Sequence, residues 1–176
     1  MKNCRGARSV ISRIIIATFV AVTLAGCGGG NSSGSNPAGT AAAAAEPVNV
    51  VGSVGDGPVT GATIEVWSAG DQLLGSMKSD GTASFKSTLK VRGKDYPLLL
   101  KVKGGIDLVT GSAPVFQMLS VMLGRSDKQV NITPFSTLIV LAAQRLPGGF
   151  NASNVAKARQ YVMGQLGFGL DTTCLL

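Results

Sequence analysis

The side chains that could do acid–base or metal chemistry are few and scattered along this sequence. Its 176 residues contain no histidine, which excludes Ser-His-Asp and Cys-His nucleophiles and every metal site built on imidazole. The carboxylates stand singly, most of them beside turn residues: Asp56, Glu65, Asp71, Asp80 and Asp107. Neither a calcium loop nor a pair of facing carboxyl groups is indicated by that spacing. We therefore predict no catalytic residue, no cofactor and no metal, and a protein that is not an enzyme.

Cys27 is the one residue whose context points to a specific reaction. It closes the tetrapeptide Leu24-Ala25-Gly26-Cys27, behind a basic start and an apolar run from Ile14 to Leu24. This order is typical of a secretory signal, and about a dozen apolar residues fall short of the ~20 that a spanning helix needs. The tetrapeptide resembles the bacterial lipobox, which implies cleavage before Cys27 and acylation of its thiol. We predict a signal peptide at 1–26, a lipid bilayer as partner through Cys27 and, because Gly28 rather than Asp follows, an outer-membrane location in the cell envelope.

The charge balance does not favour nucleic acid as a partner. Four of the sixteen basic residues precede Cys27 and none of the nine acidic residues do, so the rest of the chain carries a net charge of +3. After position 27, Lys and Arg form no cluster with interleaved aromatic residues. The high isoelectric point therefore belongs largely to the signal peptide.

Residues 27–47 have the composition of a linker. They are rich in Gly, Ser, Asn and Ala, with almost no charge and no large apolar side chain. Such a segment cannot bury enough apolar surface to offset the entropy lost on ordering, so we expect a disordered, flexible tether. A tether behind an acylated cysteine would hold a folded domain away from the membrane.

From Val48 onward, short β patterns alternate with turn signals, which is typical of an all-β domain. Strands are expected at about 48–54, 62–67, 73–78, 82–89 and 97–103. In the second strand, Ala62, Ile64 and Val66 should share the inward face. Asp80-Gly81 is a hairpin signal between the third and fourth strands.

The run Val115 to Leu123 is apolar on both faces and should therefore be covered on both sides. A helix beginning at Thr133 as N-cap and Pro134 as first helical residue could cover the second side. The apolar residues at helical spacing that precede its end at Gly148-Gly149 are Phe135, Leu138, Leu141 and Ala142. The apolar face of a second helix, from Asn151 or Ser153 to Gly167, is formed by Val155, Ala158, Val162 and Leu166. We expect these helices to lie over Phe116, Met118 and Met122.

Trp67 is the side chain best suited to contact a ligand. By strand parity it points away from the β core, beside Glu65. Two interpretations are open. The ring is either an exposed aromatic platform for a sugar or a protein partner, or a side chain covered by the helices or by a loop.

Residues 50–102 resemble the carboxypeptidase regulatory-like (transthyretin-like) modules. The residues that carry the resemblance are Gly52-x-Val54, Gly57-Pro58-Val59-x-Gly61-Ala62-x-Ile64-x-Val66, Ser79-Asp80-Gly81 and Phe85. The resemblance implies a seven-stranded β-sandwich, which in that family usually carries no catalysis. Ala83 departs from the pattern, because the usual module has an aromatic residue there.

A second stretch, Val130 to Ile139, resembles an Asn-x-Thr-Pro-x-Thr-x-Leu pattern of large bacterial surface lipoproteins. In those proteins the pattern follows the sandwich, and the chain continues well past the helices. The resemblance implies that this sequence is a natural truncation, the product of a frameshifted gene or a fragment of such a protein.

Together these features predict a mainly β protein, with a transthyretin/Ig-like β-sandwich at 48–132 and a two-helix extension at 133–176. The expected function is that of a non-catalytic envelope lipoprotein, a membrane-anchored binding or scaffolding module for an unidentified envelope or extracellular ligand. The alternative is an accessory module of an anchored enzyme whose catalytic domain is absent from this chain. A periplasmic solute-binding protein would need two α/β lobes, which the strand pattern does not predict.

Overall fold

The structure is a computed structural model that describes residues 44–55 and 57–166. The predicted signal peptide, Cys27 and most of the predicted tether lie outside the described residues, as do Asp56 and the tail from Gly167. The described chain is mainly β with a two-helix C-terminal segment, as the sequence predicts. Its elements are β1 (Glu46–Ser53), β2 (Val59–Thr60), β3 (Thr63–Trp67), β4 (Leu73–Lys78), β5 (Ser84–Val91), a 3-10 turn (Gly93–Asp95), β6 (Leu98–Lys103), β7 (Ile106–Asp107), β8 (Leu119–Met122), α1 (Pro134–Arg145) and α2 (Ala152–Leu166).

Two antiparallel sheets enclose the β core. One is the pair β1–β5, and the other has the strand order β4-β3-β6-β8, while β2 and β7 make a separate short pairing. Both larger sheets contribute to one cluster of buried side chains, which we call the first core, and it includes Val50, Ile64, Val66, Leu98 and Leu100. The predicted inward face of the 62–67 strand is confirmed, because alternate residues there are fully buried.

Asp80-Gly81 does not form the hairpin that the sequence predicts. β4 pairs with β3 and β5 pairs with β1, so this turn carries the chain from one sheet to the other. The Asp80 carboxylate accepts hydrogen bonds from the Thr82 hydroxyl at 2.7 Å and from the backbone N–H groups of Thr82 and Ser84 at 2.8 and 3.0 Å. These bonds, that of the hydroxyl foremost, lower the pKa of Asp80. Because the Asp80 side chain caps this turn, the turn needs no pairing between the flanking strands. The Asp-Gly sequence therefore forms a turn without a hairpin.

The strand predicted at 115–123 is confined to Leu119–Met122. Val115 is 97% exposed and Phe116 is 43% exposed. The backbone bond from Val102 N–H to Met118 C=O is 3.0 Å long, and the chain before Met118 has left the sheet, so apolar composition there does not produce a strand. Met118 and Met122 face the first core, so the prediction that they lie beneath the helices is wrong.

The helices cover the outer face of β6 and β8, as predicted, but through other residues. Leu99, Leu119 and Val121 join apolar side chains of both helices in a second buried cluster, the second core. Its helical members are Ile139, Val140, Ala143, Val155, Ala158 and Val162. β8 therefore gives alternate residues to two cores, which explains why its sequence is apolar on both faces.

The face of α1 that meets the sheet is not the predicted one. Phe135, Leu138 and Leu141 are 37%, 45% and 39% exposed, whereas Ile139 and Val140 are fully buried. In α2, Leu166 is likewise exposed, while the other predicted apolar positions are buried.

Hydroxyl groups at the start of α1 account for this orientation. Thr133 caps the helix as predicted, and its side chain accepts a hydrogen bond from Ser136 N–H at 3.1 Å. The Leu119 N–H donates to Thr137 Oγ1 at 2.9 Å, and Ser136 Oγ donates to the Leu119 carbonyl at 2.6 Å. An unpaired strand edge is costly when buried, so these two side chains, rather than the leucines, turn toward β8.

Candidate functional site

A strip of mostly polar residues runs along the outer face of the four-stranded sheet, beside the part of that face that the helices cover. Cross-strand pairing places Thr63 opposite Lys103, Glu65 opposite Lys101 and Trp67 opposite Leu99. We call Thr63, Glu65, Trp67, Lys101 and Lys103 the sheet strip. The odd-numbered residues of β3 and β6 share this face because successive strand side chains point to opposite sides.

Trp67 lies at the border between the sheet strip and the second core. Its ring is half-buried and packs against that core, and its Nε1–H donates a hydrogen bond to Glu65 Oε2 at 3.1 Å. The Lys101 ammonium lies over the ring, 4.5 Å from the centroid, in a cation–π arrangement. A ligand that stacks on this face of the indole must therefore first displace Lys101.

Glu65 links the charged residues of the sheet strip to the indole. Lys103 Nζ donates to Glu65 Oε1 at 2.7 Å, and this bond is the main reason that the pKa of Glu65 is lowered; the Trp67 bond lowers it further. A carboxyl group with a lowered pKa is ionised at neutral pH, and it is a poor general acid. The arrangement is thus suited to orient Trp67.

Lys101→Ala should make Trp67 more accessible to solvent. The substitution removes the ammonium from the indole face and costs only about 0.5–1 kcal/mol, because the contact is at the surface. Trp67 is the only tryptophan, so acrylamide quenching of intrinsic fluorescence reports on it alone. We expect stronger quenching in Lys101→Ala and no change in Lys78→Ala, a matched exposed lysine on β4. Equal quenching in both variants would show that Lys101 does not shield the Trp67 ring from solvent.

The other described carboxylates lie apart from the sheet strip, and most hold loop backbone. Asp95 accepts from Arg92 N–H at 2.7 Å, Asp107 from Val109 N–H at 2.8 Å and Asp127 from Leu123 N–H at 2.7 Å. Within 44–55 and 57–166, no three His, Cys, Asp or Glu side chains come together in a way that could hold a metal ion. In the same part of the chain, no helix is long and apolar enough to cross a membrane. Cys27, the predicted site of acylation, lies outside it.

Two surface features of the structure are not predicted by the sequence patterns. The loop between β6 and β8 exposes several large apolar side chains and borders a cleft of about 200 Å³. Its exposed residues are Ile106, Leu108, Val109, Val115 and Phe116. A groove of about 450 Å³ lies along the outer side of β1 and is lined in part by Lys86, Arg125 and Lys128. The alternation Lys86-x-Thr88-x-Lys90 is the sequence signal that could have indicated a basic strand face.

Comparison with known proteins identifies no relative of this chain. The two family resemblances noted in the sequence remain predictions, and function is inferred from the residues themselves. No protein-family model, no curated protein and no solved structure matches this chain.

Proposed function

We propose that this chain is a non-catalytic lipoprotein of the bacterial cell envelope, anchored through acylated Cys27, whose folded part is a binding or scaffolding module. The observation that carries the proposal is the tetrapeptide Leu24-Ala25-Gly26-Cys27 behind a short apolar run. Lipid attached to a lipoprotein cysteine supplies more than one acyl chain, and each buried CH₂ contributes ~0.8 kcal/mol. Such an anchor is stable where a single myristoyl chain is marginal. Gly28 after the cysteine favours the outer membrane.

The β part is proposed to be a transthyretin-like β-sandwich. In support, the apolar positions of the motif that resembles that family lie in the first core and are buried: Val54, Val59, Ala62, Ile64, Val66 and Phe85. The β1–β5 sheet and the four-stranded sheet both contribute to this core, as the two layers of a sandwich would.

A binding role is supported by how the polar residues are used. Asp80, Asp95, Asp107 and Asp127 each accept hydrogen bonds from loop amides and so serve the scaffold. The sheet strip, by contrast, places a half-buried Glu65, a half-buried Lys101 and an exposed Lys103 on one strand face beside an aromatic ring. Aromatic and charged side chains together on a rigid sheet are typical of surfaces that bind a sugar or a protein.

The anchoring is tested by Cys27→Ser in a bacterial host fed radiolabelled palmitate. The variant should accumulate as an uncleaved precursor without label, and globomycin, which blocks signal peptidase II, should arrest the unsubstituted chain as an unprocessed form. Cys174→Ser is the matched control, and it should be processed, labelled and recovered in the membrane fraction. Normal processing and labelling of Cys27→Ser would overturn the proposal.

A further inference from the structure

The outer side of the β1–β5 sheet is strongly basic. Lys86 and Lys90 point away from the first core along β5, and Arg92 follows at the end of the strand. Arg125 and Lys128, on the loop after β8, flank the same surface, where they line the groove beside β1 together with Lys86. All five side chains are exposed. We call them the basic face.

The acidic residues of this region, Glu46, Asp95 and Asp127, neutralise it only in part. Glu46 forms an ion pair with Arg125. Asp127 accepts a hydrogen bond from Leu123 N–H at 2.7 Å and a longer one from Gly124 N–H at 3.4 Å, so it holds its own loop. Between the lysines, the surface is formed by the neutral pair Thr88 and Asn49, joined by a hydrogen bond of 2.7 Å. A net positive surface results, although the chain after Cys27 carries only a small net charge.

The basic face lies where the chain enters the β core from the N-terminal side. β1 begins at Glu46, and its register places Pro47 opposite Lys90 and Glu46 opposite Val91. Cys27 stands nineteen positions before Glu46, and even a fully extended chain of that length spans only about 65 Å. A bilayer that holds Cys27 therefore stays within reach of this end of β1, and tethering raises the local concentration of the two surfaces.

We propose that the basic face docks on an anionic bilayer surface, so that the β1–β5 sheet lies against lipid headgroups. The nearness to the bilayer rests on the proposed anchoring at Cys27. The attraction itself depends only on the charges, and each basic residue near an anionic membrane strengthens binding about fivefold. In this orientation the sheet strip and the helices, which lie on the far side of the first core, face away from the membrane and stay open to a partner.

The test is vesicle co-sedimentation of the chain from residue 27 onward carrying Cys27→Ser, which keeps every described residue and has no lipid. Vesicles of phosphatidylcholine are compared with the same vesicles containing phosphatidylglycerol. We expect binding only to the anionic vesicles, and loss of that binding in about 1 M salt, where the Debye length falls to roughly 3 Å. Absence of binding to the anionic vesicles at low salt would overturn the proposal.

Two triple variants separate the basic face from net charge. Lys86→Glu, Lys90→Glu and Lys128→Glu together should weaken binding by more than about a hundredfold. Lys78→Glu, Lys157→Glu and Arg145→Glu change net charge equally on other exposed surfaces and should keep most of the binding. Equal loss in both would overturn the proposal. If circular dichroism shows that the charge-reversed variant does not fold, Lys86→Gln, Lys90→Gln and Lys128→Gln together take its place in the comparison.

The fluorescence of Trp67 tests how the bound protein is oriented on the bilayer. It lies on the outer face of the opposite sheet, so brominated phospholipids in the anionic vesicles should leave its fluorescence unquenched while the protein is bound. Strong quenching would place the sheet strip, rather than the basic face, on the bilayer.

Soluble inorganic phosphate at matched ionic strength should not compete with the vesicles for binding. Full competition would overturn the proposal in favour of a simple anion site. Because the protein used has no lipid, failure here is distinct from failure of palmitate labelling at Cys27.

Discussion

Gly52→Ala should lower the free energy of unfolding by about 3 kcal/mol or more, the upper part of the range for overpacked sites. A Cβ at this position would lie 1.9 Å from the Val130 carbonyl oxygen and 2.7 Å from Phe85 Cζ. The phenyl ring can turn aside, but the carbonyl belongs to a segment bound to β1. Val130 N–H donates to Val51 O, and Ile132 N–H donates to Ser53 O, each at 2.8 Å. Relief of the clash must therefore break backbone hydrogen bonds that join residues 130–132 to the sheet.

Thermal unfolding followed by far-UV circular dichroism measures this effect, and a midpoint about 10 °C lower is expected. Gly81→Ala is the matched control, because its added Cβ would have no heavy atom within 4 Å and its backbone has no positive φ. We expect the control to stay within about 0.5 kcal/mol of the unsubstituted chain. A Gly52→Ala midpoint equal to that of Gly81→Ala would show that residues 130–132 do not pack on β1 as described.

Ile139→Ala should destabilise the protein by about 2–5 kcal/mol, the cost of emptying a buried aliphatic site in a packed core. Ile139 is fully buried between the helices and the outer face of β6 and β8. Because Trp67 packs against the same core, urea unfolding followed by its fluorescence reports on this cluster directly.

Leu138→Ala is the control that separates the two possible orientations of α1. Leu138 is 45% exposed, so its truncation should change the free energy of unfolding by less than about 1 kcal/mol. The helical spacing of Phe135, Leu138, Leu141 and Ala142 predicts that Leu138 faces the sheet, and that orientation implies the opposite order of effects. A larger loss for Leu138→Ala than for Ile139→Ala would thus restore the sequence-based orientation.

The sequence by itself determined the elements whose signals are local. Alternation of apolar residues was enough to predict the inward face of β3, and Thr133-Pro134 was enough to predict the start of α1, because strand parity and helix capping depend on neighbours in the chain. The tetrapeptide Leu24-Ala25-Gly26-Cys27, which carries the proposed function, is local in the same sense. That the strand Leu119–Met122 needs cover on both sides also followed from composition, although the prediction extended this cover to Val115 and Phe116, which are exposed.

Only the tertiary structure decided which surfaces meet. The sequence of α1 is apolar around most of its circumference, so periodicity cannot choose between a face with Leu138 and a face with Ile139. The edge of β8 makes that choice, because the Leu119 N–H and carbonyl must find partners and the hydroxyls of Ser136 and Thr137 provide them. The Asp80 turn and the basic face depend in the same way on pairings between distant residues. Contacts of this kind join residues that are far apart in the chain. The pattern of neighbouring residues therefore does not predict them.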